Sequence, residues 1–232
     1  MISSKTMLAG VLLLSASLSG QAWAVSTFTE TFNTDDSNWL DGTSQTPIYN
    51  ATGGIDDSGF ISYLAPPFNS GGGGFGDPLL IMFRGNDAND ASGGAFVGDW
   101  LASGVTSFSV AVRHNADTAL NFYARLAGFG GAGASLSNDS IFEIAPDTWT
   151  TISFDIVDSD PPFVSYGSST FEGVFSNILN LQLGLYLPEN TDFDSLMLDL
   201  DNVSITAVPL PAAAWLFVSG LVSLLAGARR KG

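Results

Sequence analysis

Leu181-Gln182-Leu183-Gly184-Leu185-Tyr186-Leu187 sets four leucines on one parity and Gln182, Gly184 and Tyr186 on the other. Successive side chains of a strand point to opposite faces, so this run predicts a half-buried strand with its leucines inward. The same two-residue period recurs outward along the chain. Phe108, Val110 and Val112 alternate with Ser107, Ser109, Ala111 and Arg113. Leu120, Phe122, Ala124 and Leu126 alternate with Asn121, Tyr123 and Arg125, and Ile152, Phe154 and Ile156 with Thr151, Ser153 and Asp155. Weaker strand candidates are 27–32, 60–64, 79–83, 96–101, 141–144, 171–175 and 195–206. No stretch between them carries a convincing helical period. Clusters of Gly, Asn, Asp and Pro punctuate the runs, with 71–74 and 128–133 as glycine loops. The pattern predicts an all-β chain, an antiparallel β-sandwich or barrel.

The chain has 232 residues, a net charge of −16 and no cysteine. That length suffices to bury one large core. An excess of 23 acids over 7 basic residues excludes nucleic acid as a natural partner, because a protein must offer cations to phosphates. The missing cysteines exclude a disulfide framework, a thiolate metal site and a cysteine nucleophile.

Both ends read as addresses. Residues 1–24 carry Lys5, an apolar run of about a dozen residues, and Ala22-Trp23-Ala24 as a cleavage site, which predicts a signal peptide. At the other end Val208-Pro209-Leu210-Pro211 precedes an apolar run at 212–228 and then Arg229-Arg230-Lys231. That run gives about 26 Å of helix, enough for a thin bilayer. Its basic tail stays cytoplasmic by the positive-inside rule, leaving residues 25–207 outside. This proline motif, helix and basic tail resemble the PEP-CTERM sorting signal, with Pro-Leu-Pro in place of Pro-Glu-Pro. The resemblance implies an exosortase as processing partner and a transient inner-membrane anchor, in a Gram-negative bacterium, before release to the cell surface. A plain membrane anchor is the alternative. Without the ends, three arginines (Arg84, Arg113 and Arg125) face all 23 acids, a net charge of −20.

Within the β body, Glu30-Thr31-Phe32 stands near the start and Leu198-Asp199-Leu200-Asp201-Asn202-Val203-Ser204-Ile205 near the end. Together with Pro146-Asp147-Thr148-Trp149-Thr150-Thr151-Ile152-Ser153-Phe154, these segments resemble galactose-binding-like and laminin-B-like jelly rolls, including carbohydrate-binding modules. The resemblance implies a structural Ca²⁺ tying the first strand to the last. Its ligands would be Glu30, Asp199 and Asp201, with Asn33 or Asp35 as further candidates. Parity adds a separate observation: Leu196, Leu198 and Leu200 share one face, whereas Val203 and Ile205 have the opposite parity. A register break at Asp201-Asn202, as a β-bulge makes, reconciles them. A simple turn there is the alternative, with Glu30 solvated.

A sugar platform needs aromatic faces and planar polar groups. Tyr123 and Arg125 share the polar parity of one run, Tyr186 and Gln182 that of another, and Arg113 lies on a third. If these strands are neighbours, five residues form a glycan-binding face. An ordinary solvent face, each arginine neutralising a carboxylate, is the favoured alternative, and strand order decides between them. Trp39, Trp100 and Trp149 read as core or core-edge residues. Catalysis has little support: His114 is the only histidine and reads as a surface or strand-end residue, and no G-x-S-x-G is present. Gly128 to Gly133 formally matches G-x-G-x-x-G but opens no predicted helix. The expected function is an exported, non-enzymatic surface or matrix protein that binds exopolysaccharide. The alternatives are a coat protein self-associating through calcium and a secreted glycan-degrading enzyme.

Overall fold

A computed structural model describes residues 25–69, 79–131, 133–136, 142–158, 163–165, 169–188 and 192–208. The expected signal peptide at 1–24 and, apart from Val208, the expected sorting signal at 208–232 lie outside these residues. Among the described residues no helix is long and apolar enough to cross a membrane.

The strands are β1 (Phe28–Glu30), β2 (Leu40–Asp41), β3 (Ile48–Asn50), β4 (Phe60–Leu64), β5 (Phe68–Asn69), β6 (Leu79–Asn86), β7 (Val105–His114) and β8 (Leu120–Gly128). They continue as β9 (Gly133–Leu136), β10 (Glu143–Ile144), β11 (Thr150–Asp155) and β12 (Phe163–Ser165). After a short helix α1 (Phe171–Phe175) come β13 (Ile178–Leu187), β14 (Asp192–Phe193) and β15 (Met197–Ala207). Two antiparallel sheets result. The first runs β11-β7-β15-β4-β3, with β1 also on β15; the second runs β12-β9-β8-β13-β6-β2, with β10 also on β8. The pair β5 and β14 stands apart.

The alternation places the core as expected. Leu181, Leu183, Leu185 and Leu187 are buried, as are Phe122, Ala124 and Leu126 of β8, and Phe108, Val110 and Val112 of β7. These join the buried residues of β15, β6 and β11 in one cluster drawn from both sheets, the β-sandwich arrangement.

β15 serves two partners on one edge. Met197 to Leu200 pair with β4, and Val203 to Ile205 pair with β1. Between these stretches its register against β7 shifts from Asp201 to Ser204, and Asn202 adopts a φ of +46°. The bulge lies where the parity break places it. It lets Leu198 and Leu200 before it, and Val203 and Ile205 after it, all be fully buried.

Two segments depart from the expected strands. Residues 171–175 form α1, not a strand. Thr170 caps it by accepting the Gly173 N–H on its hydroxyl at 3.1 Å, and Phe171, Val174 and Phe175 are its buried residues. Buried positions three and four apart belong to one helix face, a pattern that five residues also allow to be read as alternation. Residues 96–101 form turns, with one bridge from Gly98 to Ile178. There the buried Trp100 donates its indole N–H to the Phe96 carbonyl at 2.9 Å.

Trp39 closes one end of the core. It is fully buried, meets Phe32 and Phe96 edge-on at 6.0 Å each, and donates its indole N–H to Ser92 Oγ at 2.8 Å. Its ring fills the space where a Cβ at Gly85 would stand, 2.9 Å away. Trp39→Ala should lower unfolding free energy by about 3–5 kcal/mol, as emptying an aromatic core site does. Urea titration followed by far-UV circular dichroism measures this, and a loss under about 1 kcal/mol would contradict the packing described.

Candidate functional site

Strand order brings β8 and β13 side by side, with β6 on the far edge of β13. In this register Gln182 lies opposite both Arg125 and Arg84, Gly184 opposite Tyr123 and Met82, and Tyr186 opposite Asn121. Arg125, Gln182 and Arg84 thus form one transverse row spanning two strand spacings, about 10 Å. Tyr123 faces a residue without a side chain, so its ring reaches the diagonal neighbours on β13. It packs edge-on against Tyr186 at 5.2 Å and its hydroxyl donates to Gln182 Oε1 at 3.3 Å.

The electrostatics follow from this packing. Burial pushes the Tyr123 phenol above its ordinary pKa, while the charges of Arg125 and Arg84 pull it down. The Tyr186 phenol is raised by burial and then by Tyr123. Tyr123 is only 7% exposed, so it supports the face, while Tyr186 and Gln182 are half-buried and open to a ligand. Among the described residues, Arg84 Nε and Asn180 Oδ1 are buried and have no hydrogen-bond partner. Asn180 stands in the row next to Gln182, opposite Asn86. A lone donor and a lone acceptor on adjacent rows are uncommon in folded proteins.

Arg113 does not join this face. It lies on β7 in the first sheet, opposite Asp199 of β15. Its Nε and Nη2 donate to Asp199 Oδ2 at 2.8 and 2.7 Å, and its guanidinium lies against the Phe60 and Trp149 rings at 5.1 and 4.6 Å. For Arg113 the ordinary alternative holds: it neutralises a carboxylate. Of the five expected residues, Tyr123, Tyr186 and Gln182 meet, Arg125 shares their sheet and lies opposite Gln182 in register with its guanidinium over Gly133 of β9, and Arg84 stands opposite Gln182 on the other side. The sequence carried a signal for Arg84, since Ile81 and Phe83 point inward and Met82 and Arg84 share the other parity. Ending that strand at residue 83 left Arg84 out.

The three acids of the calcium expectation are placed as follows. Asp199 is committed, with Oδ2 on Arg113 and Oδ1 accepting the Ser62 hydroxyl at 2.6 Å. Asp201 is fully buried at the bulge. Its Oδ2 accepts the Ile55 N–H and the Ser58 hydroxyl, each at 2.7 Å, and its Oδ1 accepts the Asn202 N–H at 2.6 Å. Glu30 Oε1 accepts the Phe32 N–H at 3.0 Å. Asn33 Oδ1 accepts the Gly59 N–H at 3.3 Å, and Asp35 Oδ1 accepts the Ser37 N–H at 2.9 Å. Among the described residues no three His, Cys, Asp or Glu side chains converge closely enough to hold a metal ion. The charge of Glu30 adds to burial in raising the pKa of the Asp201 carboxyl.

A polar cavity of about 630 Å³ opens on the first sheet beside the bulge, lined by Thr29, Thr31, Ser109, Thr151, Asn202, Ser204 and the turn at 55–58. Hydroxyls dominate it and no aromatic ring lines it, so it lacks the apolar platform that the second sheet has. His114 is 1% exposed, a buried residue at the end of β7 and not a surface one. It hydrogen-bonds the Ile144 carbonyl through Nε2 at 2.9 Å and accepts the Ala116 N–H on Nδ1 at 3.2 Å. Both ring nitrogens are engaged in holding strand ends.

No protein-family model matches the chain, and no curated protein does. Solved structures similar to it include an exo-β-agarase (TM-score 0.49, 12% identity), covering 80% of this chain and 26% of that one. Another is a family 22 xylan-binding domain from Paenibacillus barcinonensis (TM-score 0.45, 12% identity), covering 81% and 97%. A third is a family 11 carbohydrate-binding module of a Clostridium thermocellum cellulosomal cellulase (TM-score 0.43, 15% identity), covering 80% and 96%. The chain thus spans about a quarter of the agarase's length and nearly all of the two modules. These are likenesses of fold, and no site residue is carried over from them.

Burial raises the Asp201 carboxyl above its ordinary pKa, against the hydrogen bonds from Ser58, Ile55 and Asn202, and the charge of Glu30 pushes it the same way. A raised native pKa means that the folded state holds this proton more tightly than the unfolded chain. The stability it contributes is full below the unfolded pKa and lost as pH rises through the native one. In chelator, the part of the melting temperature that Asp201 supplies should fall as pH rises above the ordinary aspartate range. Asp201→Asn should flatten that fall relative to the parent, a comparison in which the other acids cancel. Parallel profiles of parent and variant would contradict the assignment.

Proposed function

We propose that the chain is an exported, non-enzymatic polysaccharide-binding protein whose site is the outer face of β8, β13 and β6. The observation that carries this reading is the meeting of Tyr123, Tyr186 and Gln182 across two adjacent strands, with Arg84 and Arg125 at the strand positions on either side of Gln182. A sugar ring presents C–H groups on its faces and hydroxyls around its rim. An aromatic face takes the first, and planar amides and guanidinia take the second. Rigid strands hold these groups, so little ordering accompanies binding.

The remaining parts of the proposal rest on sequence. The signal peptide exports the chain, and the C-terminal signal holds it in the inner membrane until an exosortase releases it to the cell surface or matrix. Calcium bridging Glu30 and Asp201 would brace β1 against β15.

The test is co-sedimentation with the host's own exopolysaccharide. Tyr186→Ala should weaken retention about tenfold, equivalent to about 1.4 kcal/mol, with the thermal midpoint nearly unchanged. Equal retention of variant and parent would remove this face from the account. Absence of any binding by folded protein would favour a coat protein that self-associates with calcium.

A further inference from the structure

We propose that the glycan lies along the strands, from Tyr186 past Gln182 and Asn180 to Phe129, so that the site takes several sugar rings of a chain at once. The inference rests on the reading of this face as a glycan site and goes further by naming the length and direction of the bound chain. The register gives the outer face a column running down β13. Tyr186 stands opposite Asn121, Gly184 opposite Tyr123, Gln182 opposite Arg84, and Asn180 opposite Asn86. Beyond Asn180, Ile178 pairs with Gly128, where β8 ends, and Phe129 follows. From residue 121 to residue 129 the column is about 27 Å long at the rise of an antiparallel strand. That is longer than a disaccharide.

Phe129 marks the far end. It is 80% exposed, more than any other large apolar side chain described, although phenylalanine is among the residues most often buried. Gly130, at a φ of +69°, turns the chain directly after it, a backbone state that glycine adopts freely. The loop thus holds a bare aromatic ring beyond the last row of the column. The C–H face of a sugar would cover that ring as another covers Tyr186 at the opposite end. Between the two rings lie Arg84 Nε and Asn180 Oδ1, which have no partner among the described residues. One donates, the other accepts, and a hydroxyl serves both kinds of group at once. Both side chains are half-buried, so turning outward would bring these atoms to the rim of a sugar laid over them. The transverse direction offers no second ring. The row through Gln182 runs from Ser135 of β9 and Arg125 to Arg84 and Leu40 of β2, and Arg125 leans away from Gln182, over Gly133 of β9.

The test uses the full-length chain in detergent and size-sorted fragments from partial acid hydrolysis of the host exopolysaccharide, titrated by calorimetry. We expect affinity to rise with fragment length and level off once the rings span the column, ending about tenfold or more above that of the disaccharide. Phe129→Ala should lower the affinity of long fragments about threefold to tenfold, the scale of one aromatic contact, and leave disaccharide affinity and the melting temperature unchanged. Tyr186→Ala should lower affinity at every length. Asn180→Ala, in the middle of the column, gives a second route should the Phe129 variant fail to fold. Equal affinity for disaccharide and long fragments would overturn the inference, as would long-fragment binding that neither Phe129→Ala nor Asn180→Ala weakens. In both cases loss of binding in Tyr186→Ala would leave the glycan face standing. Folded protein that binds no fragment and no intact polymer would overturn both readings.

Discussion

The carboxylate of Asp201 fills the gap that β4 and β1 leave between them on one edge of β15, whose other edge pairs with β7. β4 leaves that edge after Leu200 and β1 joins at Val203. In the gap the 54–58 turn offers a backbone N–H and a hydroxyl, and Asp201 takes both on one oxygen. The bulge that creates the gap keeps both halves of β15 facing the core, which a regular strand with this sequence could not do. A buried acid is the cost of this solution, since burial holds its carboxyl above the ordinary range. The first sheet therefore carries a carboxyl whose charged form burial disfavours and whose oxygens the turn and the Asn202 N–H serve.

The second sheet solves the same problem without irregularity over its middle. From Leu181 to Leu187 the alternation is unbroken, and the leucines fix β13 so firmly that Gln182, Gly184 and Tyr186 have no choice of face. The missing side chain at Gly184 lets Tyr123 touch both of its diagonal neighbours. A Cβ there would overlap the Ile81 carbonyl of β6, so the glycine also permits close approach of that strand. Core packing thus builds the aromatic and amide cluster as a by-product of burying leucines, and the two arginines are positioned by register alone.

Much of this is legible in the sequence, for reasons that also mark its limit. Period two over seven or more residues identifies β7, β8 and β13, and the parity change between Leu200 and Val203 reveals the bulge. The unexpected strands β2, β3, β5, β12 and β14, of two or three residues each, are too short to show a period. The α1 segment, Phe-Glu-Gly-Val-Phe, fits both patterns until Thr170 is seen to cap it. Strand order is set by contacts distant in sequence, so nothing local separates Arg113 from Tyr123 and Tyr186. The expected strand at 79–83 stops short of Arg84, whereas β6 runs on to Asn86 through Gly85, whose side-chain space the Trp39 ring occupies.

The central claim is that polysaccharide binds the second sheet and not the first, and the arginines report on it directly. The chain has five, of which Arg84 and Arg125 lie on the second sheet, Arg113 on the first, and Arg229 and Arg230 in the C-terminal tail. Side-chain Nε–H resonances of the full-length chain in detergent, assigned by substitution, can be followed as polysaccharide is added. The account predicts that the Arg84 and Arg125 signals move with saturation while Arg113 and the tail signals stay in place. Saturable binding that shifts Arg113, or leaves Arg84 and Arg125 unmoved, would contradict it.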